Sequence, residues 1–213
     1  MTNTPSTFRL LLWPSLLTLA ISIARVTSEV QGWLTTASGG RGLPLGITWC
    51  IFVFGGWFGW RLARAGSVPR VAKPWLWALL ALLAAAGTVM YGFYPLRAAD
   101  RSEATFVLLR QAVLTAAVAT SLGGLAMFVV WPRLAWTLLL YGLGARGTVL
   151  AITWLAKHQG WDTHYTKFGP MGIERESMGD TMFGAAVAQL GCWVPFTVIG
   201  GTLLGSLCAR RPK

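Results

Sequence analysis

The sequence predicts an all-α, polytopic membrane protein: six transmembrane helices in a single integral membrane domain, residues 1–213, with both termini in the cytoplasm. Three observations lead there. Of 213 residues, 54% are hydrophobic and 12% charged, against roughly 25% charged in an ordinary soluble domain, too few charges to cover a water-soluble fold of this size. The apolar residues fall into long blocks, several reaching the ~18 that bilayer crossing requires. The cations collect between those blocks and divide unevenly among the loops.

The first span, 10–26, follows a short tail whose one cation is Arg9. A signal peptide is the competing reading, because one basic residue, an apolar core and small residues near Ala20 and Ser22 fit that pattern loosely; a retained helix is preferred. Arg25 and Glu29 are four apart, on one helical face, so the helix is expected to continue past its apolar core. Pro14 lies in the first turns, where it kinks without breaking a span. The Gly, Ser and Thr of 35–42 read as a flexible connection.

The second span, 43–62, contains Gly55 and Gly59 on one face, a spacing that lets two helix backbones approach closely. Four cations and no acid follow (Arg61, Arg64, Arg70, Lys73). The third span, 74–95, opens on Trp75 and Trp77 and closes on Tyr91, Phe93 and Tyr94, aromatics that prefer the head-group layer. The fourth, 105–131, is separated from the fifth, 134–155, only by Pro132 and Arg133, which predicts an antiparallel hairpin with a tight turn. The sixth, 181–207, carries Pro195 as an expected kink. Residues 55–64 and 200–210 look alike: both end a span with paired glycines, a third glycine and Ala-Arg, a resemblance too short to establish a repeat.

Placing the 61–73 loop inside also places Arg9, Arg133 and the tail cations Arg210, Arg211 and Lys213 there. That is nine cations against six in the opposite loops (Arg41, Arg97, Arg101, Lys157, Lys167, Arg175), which sets both termini inside. All seven acids then fall on the outer side. The net charge of +11 is explained by topology and lipid head groups, and nucleic acid is not an expected partner because no continuous basic face exists. Cys50, Cys192 and Cys208 form no CxxC pair, so neither a redox motif nor a cysteine zinc site is supported.

Residues 157–180, between spans five and six, hold both histidines and four of the seven acids. His158, Asp162 and His164 are metal-ligand and acid–base types. His158 and Asp162 share a face only if the fifth helix runs on through Trp161, and His164 must then fold back from a turn at Gly160. The spacing matches no established metal motif. A structured interfacial loop, with Trp161, Tyr165 and Phe168 in the head groups and a turn at Gly169 and Pro170, is the alternative.

Arg146 sits near the middle of the fifth span. A central arginine costs about 2.5–3.5 kcal/mol on insertion scales, so it is expected to face the bundle interior or water with a partner: either polar groups of neighbouring helices or a bound anion. Arg110 and Arg25 lie about one turn inside the outer ends of their spans, where a long cation ordinarily reaches back to the interface. With Glu29 they are alternatively expected to form a polar patch beneath 157–180.

No phosphate loop, nucleotide fingerprint or haem attachment is present, so no cofactor is specified. The leading functional expectation is binding or transport of a small anionic or amphiphilic, lipid-like ligand through Arg146, Arg25, Glu29 and Arg110, in a bacterial cytoplasmic membrane. A membrane-embedded, metal-dependent or acid–base enzyme acting on a lipid-linked substrate through His158, Asp162 and His164 is the second. A structural subunit, contacting a homo- or hetero-oligomeric partner through Gly-rich helix faces, is the third. The expected surroundings in every case are membrane lipids.

Overall fold

The computed structural model describes residues 6–37, 45–97, 103–168, 173–174 and 177–209. The expected turn at Gly169 and Pro170, Glu176, the later part of the 35–42 connection and the cations Arg41, Arg101, Arg175, Arg210, Arg211 and Lys213 lie outside them. The rest is an antiparallel helical bundle: α1 (Thr7–Val30), α2 (Thr48–Arg64), α3 (Pro74–Phe93), α4 (Glu103–Val130) and α5 (Pro132–His158), then one unbroken rod made of α6 (Met178–Ala186), a π-helical segment (Val187–Trp193) and α7 (Val194–Cys208). Five of these are long and apolar enough to cross a membrane; the exception is α2, whose 17 residues span roughly 26 Å. The chain therefore has the helices of an integral membrane protein.

Local chemistry sets the helix ends. Ser6 caps α1 by accepting from the Arg9 N–H at 3.4 Å, and Ser177 caps α6 through the Asp180 N–H at 3.0 Å. Proline begins α3 and α5, at Pro74 and Pro132, where a missing N–H costs nothing. The fifth helix does not run on through Trp161. Gly160 takes a positive φ of 65°, and the Trp161 N–H returns to the Ala156 carbonyl at 2.9 Å, a Schellman ending. This removes the helical face that would have aligned His158 with Asp162.

The middle of the bundle is α7, which packs on α2, α3, α4 and α5. Gly55 and Gly59 of α2 lie directly on Gly201 and Gly205 of α7, so close that a Cβ on either α2 glycine would overlap the opposing backbone. The two look-alike segments thus meet face to face. With no hydrophobic drive between helices in lipid, this contact rests on backbone-to-backbone dispersion. Around and below it, Phe58, Leu62, Trp131, Leu134, Leu138 and Ile199 belong to the close-packed core. The tight α4–α5 turn is fastened there, with Trp131 Nε1 donating to Ser67 Oγ at 3.0 Å and the Arg70 N–H to the Val130 carbonyl at 2.9 Å.

The expected kink at Pro195 is absorbed by the π-helical turn before it. Proline has no N–H and crowds the carbonyl four residues earlier, which is that of Gly191. Widening the helix relieves the crowding, and the orphaned Gly191 carbonyl accepts from Thr120 Oγ1 at 3.0 Å and Ser121 Oγ at 3.3 Å. The irregular turn is thereby tied to α4 in the depth of the bundle.

Candidate functional site

Two regions are distinguishable at the upper half of the bundle, where α1, α3 and α5 finish and α2, α4 and α6 begin. The first is a polar seam between α1 and α5. The buried residues of α1 are Leu10, Pro14, Thr18, Ser22, Arg25 and Glu29, three or four apart, while Trp13, Leu16 and Ile23 point outward. An inside-out helix of this kind is what lipid surroundings and a polar interior select. Thr18 Oγ1 donates to the Pro14 carbonyl at 2.8 Å and so accepts from the Tyr141 hydroxyl at 2.7 Å.

At the top of the seam Arg25, Glu29 and His164 converge. Arg25 Nε donates to Glu29 Oε1 at 2.8 Å, His164 Nδ1 lies 2.6 Å from the same oxygen, and the His164 backbone N–H donates to Glu29 Oε2 at 3.0 Å. A carboxylate beside an arginine only accepts, so the short contact assigns the proton to Nδ1. The 3.3 Å approach of Arg25 Nε to Nδ1 is then not a hydrogen bond, since that nitrogen has no lone pair to offer. Nε2 is left as the acceptor of the neutral ring, the arrangement that orients a histidine for proton transfer. Tyr165 follows in the same turn, packed with Val149 and Ile152 of α5; burial, reinforced by the Glu29 carboxylate, pushes its hydroxyl pKa above the ordinary value.

Arg146 lies deeper and is buried, 5% exposed. Its NH1 is 3.5 Å from Gln189 Oε1, its guanidinium sits 4.7 Å from the centre of the Trp193 ring, and its Nε has no hydrogen-bond partner. Among the described residues it has no ion pair. Both contacts come from the π-helical segment, so the arginine braces the irregular turn by the polar-bridge and cation–π routes.

The second region is a cavity of about 720 Å³ between α3, α4 and the last rod, within the size range of ligand sites. Its wall is almost wholly apolar; among the described residues Arg110 and Asp180 are the only charged ones on it. Asp180 is held by Ser177 Oγ at 2.7 Å, whereas Arg110 makes no hydrogen bond or ion pair among the described residues. The room comes from small side chains on facing helices: Ala85 and Ala86 on α3, Ala116 on α4, Gly184 and Ala188 on the last rod. Trp193, whose ring carries Arg146, lines the deep end together with Phe196.

No family model, curated protein or solved structure matches the chain. The site therefore has to be read from its own chemistry.

Of the residues singled out in the sequence, Arg25, Glu29 and His164 meet. Arg25 is buried and pairs with Glu29. Arg110 does not join them, since α4 carries it to the cavity. His158 is exposed and stacks on Trp154, ring centres 5.3 Å apart. Asp162 is on the surface, paired with Lys167 and accepting from Thr36 Oγ1 at 2.9 Å, and the Lys167 ammonium holds its carboxyl below the ordinary value. His158, Asp162 and His164 thus have three different partners, and among the described residues no group of three His, Cys, Asp or Glu is placed to hold a metal. Sequence reasoning missed Tyr141, Gln189, Trp193 and the cavity. Only the 18, 22, 25, 29 spacing of polar residues on α1 carried a usable signal.

Proposed function

We propose that this protein spans the bacterial cytoplasmic membrane six times with both termini inside, and binds or moves an amphiphile whose anionic head group, a phosphate in particular, sits at the outer end. The observation that carries the reading is the cavity of about 720 Å³ whose largely apolar wall carries Arg110, without an ion pair among the described residues, and Asp180, which Ser177 engages. A cation that makes no ion pair among the described residues, beside a largely apolar chamber, complements a lipid's two halves: phosphate on the guanidinium, chain between the helices. Arg146 then supports the chamber wall through Trp193. Gly55 and Gly59 are used inside the chain, which leaves Gly144 and Gly147 of α5, where an added Cβ meets nothing, as the small-residue surface for an oligomeric contact.

The test is lipid retention. Protein extracted in mild detergent and weighed intact by native mass spectrometry is expected to carry a phosphate-bearing lipid. Gly184→Leu, which projects into the cavity, should lose it, and Arg110→Gln should weaken retention of anionic lipid about tenfold, a charge-assisted hydrogen bond being worth roughly 1.5–3 kcal/mol. Wild-type protein free of lipid, or lipid retained unchanged in both variants, would overturn the proposal.

The Glu29–His164 contact favours a second reading, an acid–base enzyme on a lipid-linked substrate, with His164 Nε2 as the proton acceptor. It requires that His164→Gln retain bound lipid yet lose turnover of its head group; equal behaviour of the two proteins sinks it.

A further inference from the structure

The cavity has a floor, and the floor is built from aromatic rings that the rest of the bundle holds in place. On α4 its lining runs from Leu109 to Thr120, and on the last rod from Asp180 to Phe196, roughly 16 and 24 Å of helix. At the far end stand Trp193 and Phe196, edge to face with centres 5.6 Å apart, and Phe196 is met in the same way by Phe52 at 6.2 Å. Behind Trp193 the Arg146 guanidinium lies 4.7 Å from the ring centre. The backbone bearing the tryptophan is fixed independently, by the Thr120 and Ser121 hydroxyls on the Gly191 carbonyl. A π-helical turn shifts the register of the side chains that follow it, and here the residue that closes the turn is the one placed at the cavity's end.

We infer that Trp193 sets the longest hydrocarbon chain the cavity accepts, with Arg146 as the positioning residue that keeps the indole across its end. The inference rests on the lipid reading above and adds to it a selectivity for chain length. Its physical basis is steric. A chain already dissolved in lipid gains little from moving into an apolar chamber, so the cavity cannot prefer longer chains by burial. It does reject one that reaches the floor, because forcing an extra methylene into a close-packed wall costs about 1–3 kcal/mol, fivefold or more in occupancy.

The experiment offers detergent-purified protein a series of phosphatidylglycerols with one head group and graded saturated chains, and reads occupancy by native mass spectrometry. Wild type is expected to bind up to a cut-off length and to discriminate at least fivefold against the next longer chains. Trp193→Ala should move the cut-off to longer chains. Trp193→Leu, which keeps an apolar residue and serves should the alanine variant fail to fold, should move it less. Arg146→Gln should blur the cut-off and Arg146→Lys, which keeps a cation over the ring, should restore it in part. Val89→Ala enlarges a side wall and should leave the cut-off where it is. A wild type that binds lipid without a cut-off, or a cut-off unmoved in both Trp193 variants, would overturn this inference while leaving the lipid reading intact. Wild-type protein that binds none of the series defeats both.

Discussion

The seam between α1 and α5 and the cavity between α3, α4 and the last rod occupy the same half of the bundle and bury opposite things. In the seam a fully buried carboxylate, Glu29, is met by Arg25 and by two groups of His164. Beside the cavity, Arg110 makes no hydrogen bond or ion pair among the described residues, and apart from Asp180 the surrounding wall is largely apolar. The difference separates charge that holds a structure together from charge that awaits a partner. Ionisable residues inside a membrane bundle are functional candidates by default, yet here the buried Arg25 and Glu29 form contacts that fasten the 163–166 turn to α1. Arg146, deeper still, has Gln189 and the Trp193 ring instead of a counter-ion, and Arg110, nearer the surface, makes no hydrogen bond or ion pair among the described residues.

The strongest way to break this contrast is Glu29→Ala. Removing one partner of a buried ion pair leaves an uncompensated charge, at a cost of about 3–5 kcal/mol, so the thermal midpoint in detergent should fall by more than for any other variant considered. Glu29→Gln, which keeps acceptor and shape but not charge, should fall between. Well below the midpoint, lipid retention should equal that of wild type. A Glu29→Ala protein with an unchanged midpoint and no bound lipid would invert the assignment and make the seam the binding site.

How much of this was legible in the sequence follows the same division. The helices were readable because lipid imposes long apolar blocks, and the pairing of Arg25 with Glu29 because a spacing of four fixes a shared helical face. The Gly55 and Gly59 face announced a close contact, though not that Gly201 and Gly205 would be its other half. The cavity was not legible, because it arises from missing volume: Ala85, Ala116, Gly184 and Ala188 are unremarkable one by one and matter only once three helices bring them together. Nor was the placement of His158, since a single glycine with positive φ, Gly160, turned the chain before Asp162 and sent the two residues to different partners.

Filling the cavity sharpens the comparison at an intermediate size of effect. Gly184 sits inside α6, where glycine disfavours helix by about 1 kcal/mol relative to alanine, and an added Cβ there meets nothing within 4 Å. Gly184→Leu is therefore expected to raise the midpoint slightly, by about 1 kcal/mol in apparent stability, while abolishing lipid retention. Gain in stability with loss of ligand is the signature of a chamber kept open for use. A variant that loses stability and ligand together would instead mark Gly184 as a packing glycine.

The smallest effect lies two residues from His164. Asp162 pairs with Lys167 and Thr36, but its side chain is 68% exposed, and an exposed pair contributes about 0.2–1 kcal/mol that salt screens. Because Lys167 lowers the folded-state pKa of Asp162, the contribution is fully present above the ordinary carboxylate value of about 3.9 and is lost as pH falls through the lowered one. Asp162→Asn should therefore leave the global midpoint nearly unchanged at neutral pH. It should also quicken hydrogen exchange at 163–167 slightly in low salt and not in high salt. A change as large as that of Glu29→Ala would mean that the exposed pair, and not the buried one, anchors the segment, since water competes for Asp162 and has no access to Glu29.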